Sequence, residues 1–349
     1  MQRTAVAILN WNGEHFLRQF LPGVVEHSTS VADVYVIDNA STDGSLSYLS
    51  ASHPEVKVIR LPRNYGFAGG YNKGIKDIPH EFIILLNSDV EVTPGWIEPM
   101  MQYVDGQAGM IACQPRIRNH KDREWFDYAG AAGGYIDKDG FAFCAGRIFY
   151  EFEKDRGQYT ENEEVFWASG AALFIRRDAY ILAGGLDEDF FAHMEEIDLC
   201  WRLKNRGYKI GACRKSEVYH VGGGTLDRQH PFKTYLNFRN NLYLILKNYR
   251  SGPVYLKLLR RMALDGIAGL RFITEGNWAY FRAVLHAHGS FYKNFRIMLR
   301  KRREEAPHVH SPNLAGWYTG SILFAFFIQG RRQLSQLPAH LFLKGLKNG

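Results

Sequence analysis

The residues with the clearest chemical potential follow an apolar run at positions 82–86. Asn87, Ser88 and Asp89 come directly after it. Sheets of α/β proteins bind ligands at the carboxyl ends of their strands, so such a run would carry the Asp89 carboxylate to a binding edge. Carboxylate oxygens suit hard divalent cations, and Asp89 could hold Mg²⁺ or Mn²⁺ against a diphosphate. The alternative is an aspartate that caps a helix or closes a turn.

Two further clusters have the composition of a nucleotide site. One ends a short apolar run in Asp38 and continues as a polar loop through residues 39–45. A carboxylate at a strand end can accept hydrogen bonds from a nucleobase or a ribose. The other, residues 63–74, is rich in glycine, which lets backbone approach a phosphate and begin a helix that faces it. It matches neither a Walker loop nor G-x-G-x-x-G, and a glycine-rich turn packed on a sheet is the alternative.

Acids and a histidine later in the chain could complete a catalytic site. After the stretch 167–172, the acids Glu195, Glu196 and Asp198 lie at the start of a predicted helix. One of them could act as a general base, because adjacent acids repel and raise a pKa. Acids also favour the first helical turn through its dipole alone. His220, which precedes the glycines 222–224, could bind the same cation as Asp89 or be purely structural.

Strand and helix patterns alternate along the first two thirds of the chain. Strands are predicted at residues 4–9, 33–38, 56–61, 82–86, 110–114 and 171–175. Helices are predicted at residues 15–26, after Gly44, and at 70–78, 95–104 and 195–206, with loops and short strands at 115–165. This alternation is typical of an α/β fold with a mainly parallel, doubly wound sheet. From residue 232 the pattern is helical without a clear strand, so we predict a catalytic domain at 1–230 and a helical region at 231–349.

Composition excludes several classes of protein. Aromatic residues make up 14% of the chain, too many for a disordered protein. The four cysteines form no C-x-x-C pair, so neither a zinc site nor a disulfide framework is indicated, and a reducing cytoplasm fits. The N-terminus has no signal-peptide pattern. The longest mostly apolar stretch, residues 315–328, is shorter than the ~20 residues of a membrane span, so we predict no transmembrane helix.

Charge divides the chain into two unequal parts. Residues 1–230 contain 24 basic and 32 acidic side chains, whereas residues 231–349 contain 19 basic and 4 acidic ones. The second part is therefore expected to face something anionic. One interpretation is a helix on an anionic membrane surface, with Val254, Leu258, Leu259 and Met262 on one face, Lys257, Arg260 and Arg261 around them, and a basic run at 300–303. The other is a packed helical subdomain with a solvated basic face.

Taken together, these clusters resemble a known family. The chain is similar over residues 4–245 to glycosyltransferase family 2 enzymes with the GT-A fold, especially rhamnosyltransferase-like bacterial members. The resemblance rests on five motifs in order, at residues 38–45, 64–72, 86–89, 195–198 and 220.

The resemblance implies a role for each motif. Asp38 would hold the base or ribose of a nucleotide sugar, in a pocket that begins at Asn10 and Asn12. The family's D-x-D motif corresponds to Asn87-Ser88-Asp89, where asparagine replaces the first acid. Asp89 alone would then bind the Mg²⁺ or Mn²⁺ directly, with His220 completing the metal shell. The remaining positions carried over are Asn64, Gly69, Asn72, Asn87 and Ser88 for the nucleotide sugar, and Glu196 as base, with Glu195 and Asp198 as the alternatives.

The expected activity is that of an inverting, metal-dependent glycosyltransferase. It would move a sugar from a UDP- or dTDP-sugar, dTDP-rhamnose among them, to a hydroxyl of a glycan or lipid-linked saccharide in cell-surface polysaccharide synthesis. The expected location is the cytoplasm, peripheral on the inner face of the cell membrane.

Two other classes compete with this interpretation. A sugar-phosphate nucleotidyltransferase needs a glycine-rich loop with arginine or lysine near the N-terminus, and residues 10–13 contain neither. A non-catalytic nucleotide-sugar-binding membrane scaffold would not need Asp89, Glu196 and His220. Nucleic-acid binding has no recognition motif to support it.

Overall fold

The structure is a computed structural model that describes residues 2–222 and 230–345. Gly223, Gly224 and Thr225, the end of the cluster around His220, lie outside the described residues. The strands of the main sheet are β1 (Thr4–Asn10), β2 (Ala32–Asp38), β3 (Lys57–Arg60), β4 (Phe82–Asn87), β5 (Val90–Val92), β6 (Met110–Asn119), β11 (Glu163–Val165), β12 (Ala172–Arg176) and β13 (Lys209–His220). A smaller sheet contains β7 (Gly134–Asp137), β8 (Ala142–Cys144), β9 (Arg147–Ile148), β10 (Glu151–Phe152) and β14 (Trp317–Tyr318).

Helices cover both faces of the main sheet and form most of the C-terminal region. They are α1 (Glu14–Ser28), α2 (Ser45–Ser52), α3 (Gly66–Gly74), α4 (Glu98–Asp105), α5 (Arg177–Leu182), α6 (Glu195–Asn205), α7 (Pro231–Asn248), α8 (Val254–Thr274) and α9 (Trp278–Glu305). The predicted mixed α/β architecture with a helical C-terminal region is confirmed.

The main sheet has the order β11-β13-β6-β12-β4-β1-β2-β3, with β5 paired to β13. Strands β3, β2, β1 and β4 are parallel, so their carboxyl ends share one edge. Successive side chains of β4 point to opposite faces of the sheet and so belong to two hydrophobic cores. Phe82, Ile84 and Leu86 lie in one core, whereas Ile83 and Leu85 lie in the other. Both faces are covered, which explains why the strand reads as a continuous apolar run.

The second sheet corrects one expectation about the C-terminal region. The pattern after residue 232 suggested no strand, but Trp317 and Tyr318 pair with Ile136 and Asp137 of β7. The apolar stretch 315–328 therefore begins as an edge strand and continues into a short helical turn at Phe324–Ile328. In the described ranges, no helix has the length and apolar character needed to cross a membrane.

Candidate active site

Strands β1 and β2 end side by side at Asn10 and Asp38, two residues predicted to bind a nucleotide. Asn10 is paired in register with Asp38, and both side chains are buried. Asn10 Nδ2 donates to Asp38 Oδ1 at 3.4 Å and to Ser41 Oγ at 3.1 Å, while the Ser41 amide donates to Asp38 Oδ2 at 3.2 Å. Asn10 Oδ1 is buried without a hydrogen-bond partner among the described residues. A buried acceptor of this kind at a ligand edge is available to a donor on a bound nucleotide.

The loop after β1 is fixed to the loop after β2. Asn12 has a left-handed backbone, with φ of 51°, and its Oδ1 accepts from the Thr42 amide at 2.7 Å. The backbone N–H of Asn12 donates to Ser41 Oγ at 3.0 Å. Trp11, which the sequence analysis did not select, is exposed between the two asparagines. The two loops are thus joined by hydrogen bonds, and the exposed Trp11 ring lies in the first of them.

The glycine-rich motif forms the neighbouring side of the same edge. Asn39 Nδ2 donates to Asn64 Oδ1 at 2.9 Å and to Gly66 O at 3.0 Å, which attaches the motif to the loop after β2. Helix α3 starts at Gly66, whose φ is 70°. A side chain at Gly69 would meet Tyr65 Cβ at 3.0 Å, and one at Gly70 would overlap Leu9. The glycines therefore serve close packing of α3 on the sheet, with the helix N-terminus at the nucleotide edge.

Asn72 has a different environment from the one the resemblance implied. Its Oδ1 accepts from Tyr180 Oη at 2.7 Å and from the Leu186 amide at 2.9 Å. Its Nδ2 donates to Leu186 O at 2.8 Å and to Glu188 Oε1 at 3.3 Å. Four hydrogen bonds use the full capacity of the amide, so Asn72 holds the segment before α6 and is not available to a sugar.

Asp89 and His220 meet because of strand register. Val90, the first residue of β5, is paired with His220 at the end of β13. Asp89 Oδ1 consequently lies 3.2 Å from His220 Nε2, and both residues are buried. His220 Nδ1 contacts Asp127 Oδ1 at 2.7 Å, and Asp127 is fully buried. The imidazole is thus held between two carboxylates, one on each ring nitrogen.

The two carboxylates, Asp89 and Asp127, stabilise the protonated, positively charged form of the His220 imidazole. Burial lowers the pKa of His220, but the hydrogen bonds that its ring donates to Asp127 and Asp89 outweigh burial and raise the pKa to about 10. Burial raises the pKa of Asp89, while the hydrogen bond and charge of His220 more than compensate and keep it below its ordinary value. A divalent cation bound between His220 Nε2 and Asp89 would displace the proton that lies there.

The donor set fits a divalent cation that also binds a diphosphate. Asp89 supplies an oxygen and His220 a nitrogen, and the contact to Asp127 fixes the ring so that Nε2 faces Asp89. Among the described residues no group of three His, Cys, Asp or Glu side chains forms a complete protein site. One or two protein ligands, with substrate phosphates and water as the rest, is the usual pattern for Mg²⁺ and Mn²⁺ in nucleotide enzymes. The imidazole favours Mn²⁺ over Mg²⁺.

Glu195 and Glu196 begin α6 after a strained segment. Phe191, His193 and Met194 have φ values of 67°, 67° and 73°, which residues other than glycine rarely adopt. Such backbone persists only where surrounding contacts impose it, and it commonly accompanies function. On α7, Asn240 imposes it by donating to the carbonyl oxygens of Phe190, Ala192 and His193 at 2.8–3.0 Å.

Glu196 lies near the segment that is hydrogen-bonded to the end of β4. A Cβ on Gly170 would lie 3.5 Å from Glu196 Cβ and 3.9 Å from Phe67 of α3. The next residue, Ala171, accepts through its carbonyl from the Asn87 amide at 3.0 Å. The structure therefore brings Glu196, helix α3 and the segment beside the end of β4 together.

The pKa values of the two adjacent glutamates, Glu195 and Glu196, are both raised. Burial raises the pKa of Glu196 to about 7. Burial, followed by the charge of Glu196, raises the pKa of Glu195 well above its ordinary value. One Oε2 atom of each is buried with no hydrogen-bond partner in the described part of the chain. Glu196 is partly exposed whereas Glu195 is 6% exposed, so a substrate can reach Glu196 more readily.

Asp198 is separated from this edge by its own ion pairs. It is fully buried, and its Oδ2 accepts from Arg202 Nε and Lys247 Nζ, each at 2.8 Å. Its Oδ1 accepts from Asn248 Nδ2 at 2.7 Å. Both oxygens thus bind α6 to α7, which leaves Glu195 as the alternative to Glu196.

Known proteins resemble the chain in sequence. The family model described as glycosyl transferase family 2 matches residues 5–182. An N-acetylglucosaminyl-diphospho-decaprenol L-rhamnosyltransferase of Mycobacterium tuberculosis is 25% identical over 283 residues, which cover 76% of this chain and 90% of that protein.

Solved structures resemble it in fold. GalNAc-T7 with UDP, GalNAc and Mn²⁺ superposes with a TM-score of 0.53 at 18% identity, over 71% of this chain and 48% of that one. The mannosyltransferase PcManGT of Pyrobaculum calidifontis, in complex with GDP-Man and Mn²⁺, superposes with a TM-score of 0.51 at 12% identity, over 88% of this chain and 86% of that one. The chain therefore has the GT-A fold predicted from its motifs.

Proposed function

We infer that this chain, which belongs to glycosyl transferase family 2, transfers a sugar from a nucleotide-diphosphate donor to a hydroxyl group with inversion at the anomeric carbon. One observation carries this proposal. Glu196 has a raised pKa and a buried oxygen without a partner in the described residues. Glu196 lies near the segment bonded to the end of β4, and Asp89, which follows β4, contacts His220.

The donor proposed is a UDP- or dTDP-sugar, with dTDP-rhamnose as one candidate. Asp38 and Asn10 offer a narrow, buried pair of polar side chains to a pyrimidine base or its ribose. The proposed donor site also includes Asn12, Asn64, Gly69, Asn87 and Ser88. We omit Asn72 from it because its side-chain amide already makes four hydrogen bonds within the protein. The name of the mycobacterial relative, a rhamnosyltransferase, supports this sugar.

Asp89 and His220 would hold Mn²⁺ or Mg²⁺ against the donor diphosphate. When bound, the cation supplies positive charge that stabilises the diphosphate as its negative charge develops. Asp127 keeps the His220 ring in the orientation that presents Nε2 to this position.

Glu196 would perform the proton transfer of the reaction. Its carboxylate removes the proton from an acceptor hydroxyl, and the hydroxyl oxygen forms a bond to C1 of the donor sugar. The bond between C1 and the diphosphate oxygen breaks on the opposite face, and the diphosphate leaves with the electron pair. Attack from the opposite face inverts the configuration at C1. A pKa of about 7 suits a base that must be ionised near neutral pH and still accept a proton.

The acceptor proposed is a glycan or a lipid-linked saccharide used in cell-surface polysaccharide synthesis. The mycobacterial relative is named for a diphospho-decaprenol acceptor, which supports a lipid-linked one here. The location proposed is the cytoplasm, peripheral on the inner face of the cell membrane. The excess of basic residues in 231–349 suits that location.

Transfer assays with two matched variants test the proposal. UDP- and dTDP-sugars are supplied with a lipid-linked saccharide and Mn²⁺, and nucleotide release is measured together with the glycosylated product. Glu196→Gln should lose transfer by ~10²–10⁴-fold while donor affinity is kept. Glu26→Gln, at an exposed position on α1, should behave as the wild type. Full activity of Glu196→Gln combined with loss in Glu195→Gln would move the base to Glu195.

A further inference from the structure

Helix α8 exposes an apolar stripe opposite the face that it buries. Its buried residues are Val254, Leu258, Arg261, Asp265 and Gly269. On the opposite side, Leu256, Leu259, Ile267 and Leu270 are each 63–65% exposed, with Ala263 between them. Both sets recur at intervals of three and four residues, so each forms a straight stripe along the helix. We call the exposed set the α8 stripe.

The α8 stripe corrects the sequence expectation for this helix. Val254 and Leu258 were expected to contact a membrane, but both are buried against the protein. Leu259 lies on the other side from them, and Arg261 is buried in an ion pair with Asp265 at 2.7 Å. The helix thus packs inward through a face that includes an ion pair and leaves four large aliphatic side chains outside. A soluble surface rarely groups such side chains in this way unless they bind something.

Neighbouring elements extend the apolar surface. On α9, Trp278, Leu285 and Tyr292 are exposed at intervals of two turns. The Tyr292 hydroxyl contacts Met262 Sδ of α8 at 3.4 Å, which joins the two helices along this surface. Beyond the other end of the stripe, the guanidinium of Arg271 lies 5.6 Å from the ring of Phe327, in the exposed turn Phe324–Ile328.

Basic side chains surround this surface. Arg260 and Arg271 flank the α8 stripe, and each is paired with an acid of the protein, Asp139 at 2.6 Å and Glu275 at 2.7 Å. The exposed face of α9 adds Arg282, Lys293 and Arg296. Residues 231–349 contain 19 basic and only 4 acidic side chains, so a partner must tolerate strong positive charge. A second copy of this chain would present the same positive surface and be repelled. An anionic lipid surface offers negative headgroups around an apolar interior, which matches both features.

We propose that the α8 stripe and the adjoining α9 face lie on the surface of an anionic lipid bilayer. Leu256, Leu259, Ile267 and Leu270 enter the boundary between headgroups and acyl chains, with α8 parallel to the membrane plane. Arg282, Lys293 and Arg296 on the exposed face of α9 bind lipid phosphates. Binding of this kind requires neither donor nor acceptor, so it stands or fails independently of the transferase activity.

Vesicle co-sedimentation of the full chain tests this surface. The wild type should bind vesicles of phosphatidylcholine with phosphatidylglycerol, and bind pure phosphatidylcholine vesicles far less, with affinity falling as salt rises. Leu259→Gln combined with Ile267→Gln should lower the partition coefficient by ~100-fold, at ~10-fold for each aliphatic side chain that no longer inserts. Ile181→Gln combined with Leu182→Gln, an exposed apolar pair on α5, should leave binding unchanged.

Three results would overturn the proposal. They are absence of wild-type binding to anionic vesicles, equal binding by the stripe variant, and an equal loss in the α5 control. Sedimentation velocity without lipid separates the competing occupant: a wild-type dimer that the stripe variant abolishes would assign the surface to a second copy of the chain. Thermal unfolding and retained nucleotide binding show that each variant is folded.

Discussion

Replacing Glu196 with glutamine should stabilise the protein at alkaline pH while it removes activity. Burial raises the pKa of Glu196 from 4.5 to about 7. Between these values the folded chain binds more protons than the unfolded chain, so stability falls as the pH rises through this window. At ~1.4 kcal/mol per pKa unit, the ionised carboxylate costs about 3 kcal/mol above pH 7. Glutamine has the same shape without the charge, so Glu196→Gln avoids this cost.

Urea unfolding at about pH 5 and about pH 8 measures the effect. At the higher pH, Glu196→Gln should be more stable than the wild type by up to about 3 kcal/mol. At the lower pH the wild-type carboxyl is protonated in the folded chain and only the start of the window has been reached, so the gain should be less than about 1 kcal/mol. The exposed control Glu26→Gln should match the wild type at both. A gain that is independent of pH, or no gain at about pH 8, would refute a raised pKa of Glu196.

Three other predictions follow from contacts around the site. Asp127→Asn should weaken Mn²⁺-dependent UDP binding by ~10–100-fold, because His220 loses the partner that orients its ring; unchanged affinity in calorimetry would refute this. Asn240→Leu should lower kcat more than it raises KM for the donor, since the strained segment before Glu195 loses its support; a fall in donor affinity alone would contradict it. UDP or dTDP should bind more tightly than GDP in calorimetric titrations of the wild type, and Asp38→Asn should reduce that preference; tighter GDP binding would refute the pyrimidine assignment.

The sequence was sufficient for the residues that lie at strand and helix ends. Asp38, Asp89 and Glu196 each follow or begin an element with a clear local pattern, and parallel strands bring their carboxyl ends to one edge. The local pattern therefore placed each of these residues on its element, while their roles in a shared site stay predictions. Asp127 was missed because it lies within residues 115–165, where no regular period marks an element.

Contacts between distant parts of the chain were beyond the sequence pattern. Asn72 and Asp198 stand within the right motifs, yet their side chains are bound by Tyr180 and Lys247, partners that only tertiary packing brings near. Helix α8 shows the same limit in another form. Because both of its sides carry apolar residues at helical spacing, periodicity alone does not tell which side is buried, and burial of the pair Arg261 and Asp265 is unexpected from polarity.

Determining the anomeric configuration of the product tests the central claim most directly. The purified chain, a UDP- or dTDP-sugar, Mn²⁺ and a lipid-linked saccharide are combined, and proton NMR compares C1 of the transferred sugar with C1 of the donor. We predict an inverted configuration, release of one nucleoside diphosphate for each sugar transferred, and transfer lowered by ~10²–10⁴-fold with Glu196→Gln. A retained configuration, or release of inorganic pyrophosphate instead of nucleoside diphosphate, would contradict the account.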